Sequence, residues 1–290
     1  MFRFLRWRFW LPGGKDERVE RAVEAKLAET IAGTEMIDAA VVLAFDAVYD
    51  RDGNFDAANT HLYVTNDYVM ELAARHPKML FGASVNPYRK DALAELERCV
   101  SRGAVLLKWL PVVQNFNPAD ERCFPLYEAL AHHRLPLLCH TGGEQALPVL
   151  NAAYADPALL VPALRHGVTV IAAHCGTRSH RGEPDYTPAF IRLVREYENL
   201  YGDTSALCLP TRSYAFAALL ADDVVRNKLV HGSDWPIISL PPASRIGWLP
   251  ALRLFLTEGN WMRRDVLTKR RLGFDDAYWQ RAAKLLRLNR

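Results

Sequence analysis

His140, His174 and Asp234 each close an apolar run: PLLCHTGG, VTVIAAHCG and KLVHGSDWP. Imidazole nitrogens and a carboxylate are donors suited to a divalent metal, zinc above all, and a catalytic zinc keeps one position open for water. Such a metal lowers the pKa of its water toward neutrality. In that chemistry Asp234 takes the water's proton and passes it to a leaving group. His174 either joins the ligands or stabilises charge developing on a substrate oxygen. Lys108, near the end of AVLLKWL, reads equally as a contact for an anionic substrate and as half of a structural ion pair. Arg178, His180 and Arg181 follow in CGTRSHRGEP and read either as a solvated loop or as an anion clamp over the same pocket. Asp234 also has a purely structural reading, as a helix N-cap ahead of Pro236.

The apolar runs must position these groups. Strands are expected at 39–45, 79–86, 104–110, 135–140, 168–174, 200–204 and 228–234. Helices are expected at 16–32, 64–75, 92–102, 118–133, 187–198 and 211–221, with one more ending near 165–167 and a helical remainder after 234. The strands are continuously apolar, as parallel strands covered on both faces are. Alternating strand and helix then imply one parallel sheet. The expected fold is α/β, a TIM-type (β/α)8 barrel in a single domain over 1–290, with strand 1 missing or replaced. In such a barrel the C-terminal strand tips converge on one face.

Side chains two apart on a strand share a face. With His140 inward, Leu138 is inward and Leu137 and Cys139 face the helices. With His174 inward, Val168, Val170 and Ala172 are inward and Cys175 points away. Lys108 brings Ala104 and Leu106 inward, with Trp109 outward as packing. Gly82, Ser84 and Asn86 form another inward set, and His231 is out of register with Asp234.

Composition narrows the function. Half of the 290 residues are hydrophobic and 24% are charged, enough for a sizeable core. A net charge of +3, from 36 basic and 33 acidic residues, gives no case for nucleic acid. Cys99, Cys123, Cys139, Cys175 and Cys208 contain no CxxC pair and read as reduced core thiols of a cytoplasmic protein. His76, His132, His133 and His166 fall at expected helix C-termini and read as structural. The start, MFRFLRWRFW, has arginine breaking each apolar stretch and is no signal peptide; burial is favoured over a membrane surface.

FGASVNP (81–87), LCHTGG (138–143), AAHCG (172–176), LYGDTSA (200–206) and HGSDWP (231–236) resemble, in order, the amidohydrolase superfamily, in its amidohydrolase-related branch similar to aminocarboxymuconate-semialdehyde decarboxylase. The resemblance implies one divalent metal, usually zinc, held by a His-x-His pair on strand 1, a strand-5 His and a strand-8 Asp. His140 and Asp234 take the last two places, and His174 is the strand-6 histidine. No His-x-His pair exists here; the first histidine is His61. An upstream segment carrying that pair is therefore expected, with Met1 an internal start and the 290-residue form a weak metal binder. FRFLRWRFW is expected at most to lend a short strand without histidine.

The expected function is a metal-dependent hydrolase for a small polar, carboxylate-bearing molecule, with Lys108 and the Arg178/His180/Arg181 loop as anion contacts. Non-oxidative decarboxylation uses the same site. A degenerate barrel that binds a ligand without catalysis is the rival from another class, and a homo-oligomer is an open alternative.

Overall fold

The computed structural model describes residues 16–288; the aromatic start and the short strand expected from it lie outside the described residues. Seven strands are present: β1 (Ala40–Leu43), β2 (Met79–Ala83), β3 (Leu106–Trp109), β4 (Leu137–His140), β5 (Val170–Ala173), β6 (Leu200–Asp203) and β7 (Leu229–Val230). They form one sheet in chain order, and every neighbouring pair is parallel. The strands are shorter than their apolar runs because their ends bend into loops that carry polar groups.

Helices cover the sheet: α1 (Asp16–Ala32), α2 (Asn66–Arg75), α3 (Ala92–Ser101), α4 (Pro111–Gln114), α5 (Phe124–His133), α6 (Val161–Arg165), α7 (Thr187–Glu196), α8 (Phe216–Ala221), α9 (Asp223–Arg226), α10 (Ala243–Ile246), α11 (Trp248–Thr257), α12 (Trp261–Arg271) and α13 (Asp276–Leu285). Their starts follow local chemistry. Thr65 accepts the amide of Tyr68 at the head of α2, and Asn260 accepts those of Met262 and Arg263 at the head of α12.

The main core lies between sheet and helices. Leu107, Trp109, Leu137, Cys139, Val170, Ala172 and Leu229 pack there against Leu96, Leu126, Tyr127, Phe190 and Phe216. Trp109 is fully buried and donates its indole N–H to Val85 O at 2.8 Å, so its role is packing. Truncating such a side chain costs about 3–5 kcal/mol. All five cysteines are buried and unpaired in disulfides.

Strand β1 is only half-buried along its length, whereas every residue of β3 and β5 is buried. The sheet is open between β1 and β7 among the described residues. Helix α12 spans that opening. Its Lys269 holds Gly232 O at 2.8 Å beyond β7, while Met262 packs with Ile31, Leu72 and Met79 on the β1 side. Asn260 adds a bond from Nδ2 to Thr30 O at 2.8 Å, tying α12 to the end of α1.

On β5 the facing differs from expectation. Val168, Val170 and Ala172 belong to the outer core with Cys175, so Ile171 and Ala173 take the inner face. His174 nevertheless returns to the interior because the alternation stops there. His174 and Cys175 are left-handed, with φ of 62° and 54°. The turn is held by Thr177, whose amide and hydroxyl both donate to His174 O, at 3.1 and 2.8 Å.

Candidate active site at the strand ends

Register places the polar tips on one face. Lys108 aligns with Leu138, and His140 with Ala173, so Lys108 and His140 are successive inward residues on neighbouring parallel strands. Gly202 aligns with Ala172, which puts Asp203 beside Ala173. A side chain built on Gly232 would meet Asp203 Oδ2 at 3.0 Å, so the chain beyond β7 also turns inward, ahead of Asp234. Non-glycine residues in the left-handed region are uncommon and cluster where a site over-determines the backbone. Besides His174 and Cys175, Ala206 (56°) and Asp234 (59°) are of this kind.

The two histidine rings meet edge to face with centroids 4.9 Å apart, both buried. Ser205 fixes the state of His174. Ser205 Oγ lies 2.5 Å from Asp203 Oδ1 and donates to it, because a carboxylate only accepts. The hydroxyl proton is thereby committed, and Ser205 O also only accepts. His174 Nδ1, 2.9 Å from both Ser205 oxygens, must carry the proton. Its Nε2 keeps the lone pair. Asp203 Oδ1 further accepts the His174 amide at 2.9 Å. His140 is looser: Nε2 lies 3.3 Å from Gly142 O, and Nδ1 3.8 Å from Glu144 Oε2. Burial holds both histidines well below their ordinary pKa. The charges of His174, Lys108 and Arg212 add to it at His140, and those of Arg212 and Lys108 at His174.

Lys108 is 5% exposed, and its ammonium has no hydrogen bond or ion pair among the described residues. Burial pulls its pKa down, against the opposing pull of Asp203, Cys139, Asp234 and Glu144. Asp234 behaves inversely. The protein around it pushes its carboxyl up to about 7, with Asp203 adding to the push and Lys108 opposing it. Its side chain reaches solvent at the open mouth, which moderates that displacement. Lys108 and Asp234 thus feel one another's charge at the strand ends.

Four residues beyond those expected complete this environment. Asp203 carries the same signal as the histidines, closing LYGD, and Ser205 follows it. Glu144 lies just after LCHTGG and is pushed up by burial. Arg212 has no sequence signal. It is buried and donates from Nη1 to Thr177 O and Oγ1 at 2.8 and 2.7 Å, and from Nη2 to Gly143 O at 2.5 Å, clamping the loops after β4 and β5.

The Arg178 and His180 side chains have partners of their own. The Arg178 guanidinium stacks 4.8 Å from the Tyr214 ring centroid, His180 Nε2 lies 3.5 Å from Glu183 Oε1, and Arg181 is exposed. Among the described residues no hydrogen bond or ion pair joins the three to His140, His174, Lys108 or Asp234. Ser84 and Asn86 are held by backbone carbonyls of neighbouring segments, Ser84 Oγ donating to Lys108 O at 2.8 Å and Asn86 Nδ2 to Ala47 O at 2.9 Å. His231 turns outward to Asp265, 3.1 Å away.

The donor set tests whether these residues fit a metal. Among the described residues no group of three or more His, Cys, Asp or Glu is placed to hold one. His140 and His174 form a pair of neutral imidazoles, and Asp234 does not close a triad with them. A catalytic zinc takes three protein ligands. These residues fall short of that, and residues 1–15 contain none of the four types.

A curled parallel sheet with its polar groups at the C-terminal strand ends defines a protein of the TIM-barrel class. The chain belongs to the amidohydrolase family, whose profile matches residues 12–266. No curated protein matches it by sequence. It is similar to an uncharacterised TIM-barrel protein from Bordetella bronchiseptica, at 18% identity, TM-score 0.61, covering 93% of this chain and 90% of that one. It is also similar to a probable 2-pyrone-4,6-dicarboxylic acid hydrolase from Acinetobacter baumannii, at 14% identity and TM-score 0.56, covering 91% and 89%. A third likeness is to 5-carboxyvanillate decarboxylase from Novosphingobium aromaticivorans, solved with bound manganese, at 13% identity and TM-score 0.53, covering 97% and 87%. Among the described residues no helix is long and apolar enough to cross a membrane.

Proposed function

We propose that this chain is a hydrolase for a small polar molecule bearing a carboxylate, bound at the strand ends. One observation carries the reading: Lys108, a buried residue, has an ammonium without a hydrogen bond or ion pair among the described residues, on the face of His140 and within the field of Asp234. An unpaired buried charge is costly, and a substrate anion removes that cost. Two of the similar structures carry the names of enzymes for carboxylates, which supports the substrate class by likeness of fold alone.

In the proposed reaction the carboxylate docks on Lys108, and a water is held by the bare Nε2 of His174. Asp234 takes the water's proton and returns it to the leaving group. Metal activation of that water, zinc or another divalent ion, needs donors beyond the two imidazoles, and no step here passes through a metal.

The test is turnover of ester and lactone carboxylates by the 290-residue chain, with product analysis. Release of alcohol or ring-opened acid supports hydrolysis; release of carbon dioxide replaces it with decarboxylation, for which a carboxyl titrating near 7 is also a suitable proton donor. The shortage of metal donors favours a second reading, a barrel that binds a carboxylate without turning it over. A folded protein that binds dicarboxylates but releases no product, with or without added zinc or manganese, would establish it.

A further inference from the structure

Helix α11 has more apolar surface than its own barrel uses. Its sequence, WLPALRLFLT, contains a single charged residue, Arg253. At 3.6 residues per turn its apolar side chains cover an arc of about 220°, roughly twice the stripe a helix needs to face one core. Ala251 and Leu254 are buried against the rest of the molecule. Trp248, Leu249, Leu252, Phe255 and Leu256 fill the remaining arc at spacings of one, four, seven and eight from the first. They stand in solvent, with Leu249 81%, Trp248 79% and Leu256 71% exposed. Most other large apolar side chains that are exposed, such as Val149 and Val224, are scattered singly, which is ordinary for a surface. A contiguous stripe of five on one helix is not.

We propose that this face of α11 is a two-fold interface through which a second copy of the chain binds, helix against helix. Two features select a copy of the chain as the occupant. The first is area. Two partly exposed aromatic side chains, of about 150–250 Å² each when whole, and three partly exposed leucines together offer on the order of 500–700 Å². Two such faces together bury roughly 1,000–1,400 Å², which reaches the range of specific protein interfaces, about 1,200–2,000 Å². The second is charge. The stripe carries none, so it selects no oppositely charged partner, and Arg253 lies beyond the arc, where a paired helix leaves it at the solvated rim. A two-fold axis sets the same patch on both sides, which an uncharged stripe centred on Leu252 satisfies.

The test is sedimentation of the full chain over a wide concentration range, beside Leu249→Glu/Leu256→Glu. The wild-type chain is expected to run at twice its 32.8 kDa, and the double variant as a monomer with unchanged circular dichroism, since both positions are exposed. Leu252→Cys provides a second reading that does not depend on destabilising the pair. All native cysteines are buried, so mild oxidation should give one intermolecular disulfide at the axis. A wild-type monomer at every concentration overturns the proposal, and so does a dimer that the double charge leaves intact. A monomer that co-sediments with phosphatidylcholine vesicles would assign the face to a lipid surface instead.

Discussion

Two lysine–aspartate sets lie at the ends of this sheet, and they differ in what is left unsatisfied. Lys269 and Asp265, both on α12, are buried and closed on themselves. Lys269 Nζ donates to Asp265 Oδ2 at 2.5 Å and to Gly232 O at 2.8 Å. Asp265 also receives His231 Nε2 at 3.1 Å and Ser239 Oγ at 3.2 Å. Burial pushes the Asp265 pKa up, but Lys269 and His231 outweigh it and hold the carboxyl below its usual range. Lys108 and Asp234 have the same chemistry without the closure. Among the described residues no hydrogen bond or ion pair reaches the Lys108 ammonium, and Asp234 is pushed up to about 7. A satisfied buried set stabilises the fold around it, whereas a lysine without such a partner leaves its charge uncompensated from within. Asp265 brackets the turn that carries Asp234, so the closed set supports the open one.

The largest effect expected from this contrast is on stability. Lys269→Met leaves Asp265 buried without its strongest partner, and breaking a buried pair in this way costs about 3–5 kcal/mol. Urea denaturation should show that loss; a change below about 1 kcal/mol would erase the distinction between the sets.

A smaller effect separates the two aspartates by pH. Asp265, depressed below its ordinary 3.8, contributes stability that is present above about pH 4 and lost as pH falls through its folded value. Asp234 is raised, so it does the reverse. Its cost to the folded state sets in above about pH 4, grows until about pH 7 and is constant beyond. Asp234→Asn removes that titration. The melting temperature of the variant relative to wild type should climb from pH 5 to pH 7 and then level off; a flat difference would show that Asp234 titrates normally.

The smallest effect is again on stability. Lys108→Met deletes a charge that has no hydrogen bond or ion pair to lose among the described residues, so denaturation should shift by no more than about 1 kcal/mol, toward greater stability if at all. A loss as large as that of Lys269→Met would mean that Lys108 is structural.

Much of this was legible in the chain. The continuous apolar runs mark all seven strands, and alternation gives the residues that share a face with His140 and with Lys108, while register puts the two on one face. The inward return of His174 does not. Alternation presupposes extended backbone, and the left-handed turn at His174 and Cys175 is held by Thr177 and Asp203, which no periodicity marks. The same limit separates Arg178 from Arg212. Both lie in polar loops, but Arg212 is fixed by carbonyls of Thr177 and Gly143, and Arg178 by the ring of Tyr214. Backbone acceptors and distant rings leave no trace in local spacing. Asp203 was readable, since it closes its strand as the histidines close theirs.

The central claim is that the Lys108 ammonium at the strand ends takes a carboxylate from solution. Calorimetric titration of the 290-residue chain with benzene-1,3-dicarboxylate and 2-pyrone-4,6-dicarboxylate, beside Lys108→Met, tests it most directly. The wild-type chain should bind at least one of them, and Lys108→Met should weaken that binding by roughly ten- to a hundredfold, the loss of one charge-assisted contact of about 1.5–3 kcal/mol, while its fold stays intact. Equal affinity in the two proteins would contradict the account.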